Sequence, residues 1–266
     1  MPHTTVPQHK LKALLSGAMR DPFSVLGTHP VKFENQSGSA VRVFIPGASR
    51  VQIIGPAFPG PIEALEIDPR GFFEAVLKGI SDFRPHRLKV TFISGETASF
   101  YDCYSFTPVL SEYDLYLWGQ GNHFEIYNKL GAHPWEHQGI RGVLFAVWAP
   151  SAVRVSVIGE FNQWDGRRHQ MRYRGSSGVW ELFVPHLCPG TLYKFEILAQ
   201  EGTILIKSDP FAFYMEQRPK TASIVYDLFG FEWTDQEWME RRARTDVLRQ
   251  PLAMYEVHLG SWKRGE

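Results

Sequence analysis

Leu26-Gly27-Thr28-His29-Pro30 returns as Leu130-Gly131-Ala132-His133-Pro134, 104 positions further on. The same offset joins Phe44, Pro46, Ala48, Arg50, Val51, Ile54 and Gly55 to Trp148, Pro150, Ala152, Arg154, Val155, Ile158 and Gly159. One short shared word can arise by chance, but a fixed offset held over about thirty positions marks a duplicated unit. The 266 residues are long enough for two domains of about 100–200 residues each. The chain is therefore expected to fold as two domains of one kind.

Each unit reads as short strands. Val41–Ile45 and Arg50–Ile54 are β-branched runs parted by Pro46-Gly47, a turn signal. Ile62–Ile67, Phe72–Leu77, Arg87–Ile93 and Thr97–Tyr101 continue the first unit. Val143–Trp148, Arg154–Ile158, Val179–Val184, Leu192–Leu198 and Thr203–Ile206 make up the second. Short strands at this spacing, punctuated by Gly, Pro, Asn and Asp, predict an all-β chain of two tandem immunoglobulin-like β-sandwiches. Helical pattern is confined to the flanks. One helix is expected over Pro7–Ala18. A second is expected from Thr234, with Glu237 completing a capping box, to about Arg249, ahead of Pro251. The expected layout is a helical segment at 1–19, a first sandwich at 20–110, a second at 111–228, a helical linker at 229–253 and a strand-like ending at 254–266. A lone strand at Tyr255–Trp262 has no ladder to join, so a partner for it is expected outside this chain.

Charge narrows the partners. Lys and Arg number 28, and so do Asp and Glu. Nucleic-acid binding needs a cationic excess to displace counterions, and this chain has none. A neutral polymer fits the balance better. Only two cysteines occur, Cys103 and Cys188; they read as buried free thiols of a reducing compartment. The first ten residues lack the apolar core of a signal peptide, and no apolar run reaches the ~18 residues of a membrane span. The expectation is a cytoplasmic protein without membrane contact, cofactor or metal.

The second unit holds the most specific motif, Phe145-Ala-Val-Trp-Ala-Pro150 followed by Val157-Ile-Gly-Glu-Phe-Asn-Gln-Trp-Asp165. Gly178-Val-Trp-Glu181, Tyr193-Lys-Phe195 and Lys207-Ser-Asp-Pro210 follow in order. The set resembles the carbohydrate-binding module that precedes the catalytic barrel of α-amylase superfamily enzymes. Asp21-Pro-Phe-Ser-Val-Leu-Gly-Thr-His-Pro30 resembles the opening of bacterial 1,4-α-glucan (glycogen) branching enzymes. So do Leu130–Pro134, Arg218–Ser223 and Tyr255-Glu-Val-His-Leu-Gly-Ser-Trp262. The resemblance implies that α-1,4-glucan (glycogen or amylose) is the ligand. It also implies that Tyr255–Trp262 matches the first strand of the catalytic barrel and that the family's catalytic carboxylates lie in later motifs absent here. The missing barrel of the same protein then becomes the expected partner. A stand-alone glucan-binding or regulatory module without catalysis is the rival reading, and a debranching or trehalose-releasing relative a third.

Branching is a retaining double displacement that needs two carboxyls about 5–5.5 Å apart. Glu160, Asp165, Asp209 and Glu256 are the acids weighed for such a pair; loop-tip acids more often bond nearby backbone amides, and no catalytic residue is expected among them. Trp164 is the main glucan-contact candidate, since a sugar rests its C–H groups on an aromatic face and Phe161 is expected to point inward as Trp164 projects. Lys194, between Tyr193 and Phe195, is expected to face away from the core by strand alternation and to reach glucose hydroxyls. Trp180 is the third candidate, although Phe73 at the matching repeat position points to a core site. No second aromatic platform follows Glu201-Gly202, so weak affinity is expected. His29 and His133 read as satisfied turn residues, and Arg50 and Arg154 as strand-edge charges. The first unit has Gly55-Pro-Ala-Phe-Pro59 in place of the Phe-Asn-Gln-Trp turn, which suits a structural or chain-length-setting role.

Overall fold

A computed structural model describes residues 4–33, 36–55, 59–80 and 84–263. Everything up to Asp227 belongs to one compact body, and Leu228 onward forms a second, small one. In the large body α1 (Gln8–Leu15) precedes β1 (Gly27–Phe33), β2 (Gln36–Phe44), β3 (Ala48–Ile54), β4 (Ile62–Asp68), β5 (Phe72–Lys78), β6 (Arg87–Phe92) and β7 (Thr97–Tyr101). These strands are hydrogen-bonded in the order β1-β2-β5-β4-β3-β6-β7. The path folds over at β4, where the ladder to β5 shifts register between Glu66 and Asp68, so that two layers face each other. Val41, Val43, Phe73 and Ala75 from β2 and β5 meet Val51, Ile53, Leu88 and Val90 from β3 and β6.

The second half repeats the plan. α2 (Glu112–Gly119) leads into β8 (Gly131–His137), β9 (Ile140–Trp148), β10 (Arg154–Gly159), β11 (Arg172–Tyr173), β12 (Val179–Pro185), β13 (Leu192–Leu198), β14 (Ile204–Lys207), β15 (Tyr214–Met215) and β16 (Ser223–Ile224). One sheet runs β11-β12-β9-β8 and the other β10-β13-β16-β15, with β14 also paired to β13. Phe145, Val147, Trp180 and Leu182 of the first sheet close on Val155, Val157, Tyr193 and Phe195 of the second. The opposite face of β9, Leu144 and Ala146, is covered by Leu115 and Trp118 of α2. The all-β class and the paired sandwiches expected from the repeat are what the chain forms.

The duplication extends to hydrogen bonds. β1 and β8 open on Gly27 and Gly131, with φ of 86° and 109°, a region that glycine adopts without steric cost. Two residues on, His29 Nε2 donates to Leu26 O at 2.9 Å and His133 Nε2 to Leu130 O at 3.0 Å. Both histidines are satisfied structural residues, but they lie inside strands and not in turns. Burial first of all lowers the pKa of each, and the neutral ring still supplies the N–H the carbonyl needs. Buried glutamates repeat as well. Glu74 on β5 accepts from the Thr5 amide at 3.0 Å and pairs with Arg42 at 3.1 Å. Glu181 on β12 accepts from the Leu110 amide at 2.9 Å and pairs with Arg174. Each carboxylate grips the segment that leads into its own sandwich.

The two sandwiches share apolar packing. Leu14 of α1, Met19, Leu26, Phe44 and Phe72 belong to the same buried cluster as the core of the second sandwich. The Arg172 guanidinium lies 3.7 Å over the Phe23 ring and that of Arg20 3.9 Å over Tyr173. Tyr104 Oη accepts the Gln170 amide at 3.0 Å. Arg154 corrects the strand-edge expectation. It is buried, pairs with Glu196 and donates to Gly17 O at 3.4 Å, because the second sandwich buries this strand end against the segment after α1. Arg50, its repeat mate, is exposed and pairs with Glu63 at 2.6 Å. Cys103 is buried, whereas Cys188 is exposed, against the expectation of two buried thiols; it sits in the turn between β12 and β13.

The small body holds α3 (Gln236–Arg244) and α4 (Leu259–Trp262). α3 starts one residue later than the expected capping box requires. Asp235 stands at its N-cap without a side-chain bond, which leaves Glu237 one position short of closing the box with Thr234. No strand forms over Tyr255–Trp262; part of it is the single turn α4, since among the described residues no ladder takes it up. Among the described residues no helix is long and apolar enough to cross a membrane.

Candidate functional site

The tight turn after β10 carries the sequence's leading candidate. Its organiser is Asn162, which is buried. The Asn162 side chain accepts from the Gly159 amide at 3.0 Å, donates to Val157 O at 2.9 Å and donates to His169 Nδ1 at 3.0 Å. Phe161 turns inward, stacked on Phe145 with ring centroids 6.4 Å apart and edge-on to His169 at 5.4 Å. Burial drives the pKa of His169 down to about 4. The ring is thus neutral and accepts at Nδ1, as the amide bond requires.

With these anchors set, Gln163 and Trp164 take left-handed φ of 60° and 58°, unusual for residues with a Cβ. Main-chain bonds hold the shape: Gln163 N to Glu160 O at 3.1 Å, and Trp164 N to Gly159 O at 2.8 Å. Trp164 emerges with 38% of its surface exposed. Asp165 closes the far side. Its carboxylate accepts from the Arg167 amide at 2.9 Å and pairs with the Arg167 guanidinium at 2.7 Å. Burial opposes ionisation of Asp165, yet the bonds from Arg167 leave its pKa below the usual carboxylate range.

Lys194 lies beside this turn. The ladder between β10 and β13 sets it opposite Ile158, next to the Tyr193–Gly159 pair whose glycine carbonyl anchors Trp164. Tyr193 and Phe195 point into the core, so Lys194 faces outward as alternation requires. Its Nζ donates to Thr221 Oγ1 at 2.7 Å. Thr221, 27 positions away in the chain, was not among the expected site residues, although it lies inside the Arg218–Ser223 motif. Trp180, the third candidate, is 0% exposed. It packs on Tyr173, and its Nε1 donates to Ala149 O at 2.9 Å. A ring closed off on every side has no face for a sugar, so Trp180 belongs to the core that its repeat mate Phe73 foreshadows. The structure brings Trp164 and Lys194 to one end of one ladder and leaves Trp180 out.

The acids weighed for catalysis are engaged or dispersed. Asp209 is buried, accepts from Tyr193 Oη at 2.6 Å and from the Phe211 amide at 2.8 Å, and burial raises its pKa. Glu160 is exposed on the turn. No cluster of metal-binding side chains occurs among the described residues.

Comparison with known proteins divides the chain in two. Residues 7–104 match the family described as alpha-1,4-glucan branching enzyme GlgB, N-terminal domain. Residues 129–212 match carbohydrate-binding module 48, the isoamylase N-terminal domain. Among curated proteins, a 1,4-alpha-glucan branching enzyme GlgB of Rubrobacter xylanophilus is 49% identical over 259 residues, covering 97% of this chain and 34% of that protein. One of Thermosynechococcus vestitus is 47% identical over 259 residues, covering 97% and 33%. The chain spans about a third of the length of these relatives. Among solved structures, a pullulanase type I from Bacillus subtilis complexed with maltose aligns at TM-score 0.34 and 16% identity, over 79% of this chain and 28% of the other, too distant to locate a site.

Proposed function

Since this chain carries the amino-terminal region of a 1,4-α-glucan branching enzyme, we propose that its second sandwich holds α-1,4-glucan for a transfer reaction that these 266 residues do not themselves perform. The observation that carries the reading is Trp164, held out by a turn whose every bend is tied to the core. Its exposed indole face takes the C–H groups of a glucosyl unit, and the contact costs little ordering because the turn is already rigid. Lys194, at the end of the same ladder, donates to sugar hydroxyls. One such platform without a second aromatic makes a weak site, suited to a polymer that offers many equivalent units.

Catalysis is assigned elsewhere in the full-length enzyme. A retaining transfer calls for opposed carboxyls about 5–5.5 Å apart, one of them protonated. Asp165 is neutralised by Arg167, and Asp209 is closed off behind Tyr193. The partner of this region is then the barrel-bearing remainder of the same enzyme.

The test is affinity electrophoresis in amylose-containing gels. Retardation is expected for the chain as it stands, with Trp164→Ala losing roughly tenfold in affinity and Lys194→Ala a few-fold, a loss of about 1.4 kcal/mol being tenfold. Unchanged retardation of Trp164→Ala would overturn the site. In parallel, the chain is expected to leave the iodine colour of amylose unchanged; a loss of colour would overturn the assignment of catalysis.

A further inference from the structure

A cavity of about 720 Å³ lies between the two sandwiches, within the roughly 300–1,000 Å³ range of small-molecule sites. One wall belongs to the first sandwich, where the β6–β7 hairpin contributes Phe92, Ser94 and Phe100. The other wall belongs to the Trp164 turn, through Glu160, Phe161 and Gln163. Arg168 ties the walls together: its guanidinium stands 5.4 Å from the Phe92 ring centroid and donates to Pro46 O at 3.4 Å. The width of the cleft is thereby fixed by a side chain of one sandwich bonded to the backbone of the other.

We propose that this cleft extends the Trp164 platform, so that a linear α-1,4-glucan with one unit on Trp164 continues between the sandwiches. This rests on the glucan reading of Trp164 given above. Continuity is the first argument. Gln163 lines the cleft, while Trp164, its neighbour about 3.8 Å on along the Cα trace, stands outside it. The indole is thus carried by the residue next to the cleft wall.

Chemistry is the second argument. Phe100, on the terminal strand β7 of its sheet, is 40% exposed and offers an aromatic face; Gln163 and Glu160 are exposed and can bond vicinal hydroxyls. The acids Glu96 and Glu160 also line the cleft. Among the described lining residues Arg168 is the one arginine, and His169 is uncharged near neutral pH. An anionic ligand would face the exposed carboxylates of Glu96 and Glu160 against a single guanidinium among the described lining residues, whereas a neutral sugar chain meets apolar faces and hydroxyl partners. The first sandwich thus gains a part in glucan handling although it lacks the Phe-Asn-Gln-Trp turn.

Calorimetric titration of the whole chain with maltotriose and with maltoheptaose tests this. Maltoheptaose is expected to bind about tenfold more tightly. Phe100→Ala should bring the two sugars close to parity while leaving maltotriose affinity and the thermal midpoint unchanged. Gln163→Asn, which keeps a residue tolerant of left-handed φ, should narrow the gap in the same way and serves if Phe100→Ala fails to fold. Equal affinities for the two sugars in the unaltered chain, or a preference that survives both substitutions, would overturn the extension but leave the Trp164 site standing. Absence of binding to either sugar would remove the Trp164 reading and this one together.

Discussion

At the scale of residues, His169 links the candidate site to solution conditions. In the folded chain its pKa is held near 4 by burial, whereas an unfolded histidine titrates near 6.5. Above pH 6.5 both states are neutral and the group is silent. As pH falls from about 6.5 towards 4, the unfolded chain takes up a proton that the folded ring refuses, and stability is lost. His29 and His133, also lowered by burial, act in the same direction. Denaturation midpoints are expected to drop across this window, and His169→Gln, which keeps an acceptor for Asn162, should flatten the slope; an unchanged slope would contradict the assignment. Trp164 and Lys194 were legible because a local motif and strand alternation settle their exposure. The burial of Trp180 was legible only through the repeat, which sets a phenylalanine in its place. Thr221 was legible only as a member of the Arg218–Ser223 motif, since its contact to Lys194 depends on how the segment after β14 returns to β13.

At the scale of elements, α2 shows what pattern reading overlooks. Ser111 accepts from the Asp114 amide at 3.0 Å, while Asp114 accepts from the Ser111 amide at 3.2 Å. This is a capping box, and Ser-x-x-Asp was visible in the sequence; the strand rhythm on either side obscured it. Although burial works against it, bonds from Ser111 and His123 hold Asp114 at a pKa of about 2. Ser111→Ala is expected to cost about 1 kcal/mol, measured by urea denaturation, and no change would mean that packing of Leu115 and Trp118 alone holds the helix. β1 and β8 escaped for another reason. Pro30 and Pro134 made their segments read as turns, but both strands are outermost in their sheets, where a missing N–H costs no ladder bond. The strand expected at Tyr255–Trp262 failed because alternation supplies only half of a strand; the other half is a partner.

At the scale of the whole molecule, the duplication made two sandwiches legible but not their union. The cluster joining Leu14, Phe44 and Phe72 to the core of the second sandwich draws on residues from both repeats, and no offset within the sequence announces it. Sandwiches built around common packing are expected to unfold together. Leu14→Ala, at a fully buried position, should cost about 2–5 kcal/mol. It should lower the midpoint seen by near-ultraviolet signals of the packed aromatic side chains as much as that seen by far-ultraviolet signals of all strands; separate transitions would show the two halves to be independent.

The matched glutamates have a bearing on how such a chain comes off the ribosome. Glu74 reaches back to Thr5 and Glu181 back to Leu110, so each carboxylate latches onto peptide synthesised before it. Neither latch waits for anything still to be translated. The first half can close its own latch while the second is being made, leaving the face of Leu14, Phe44 and Phe72 for the second half to cover as synthesis proceeds.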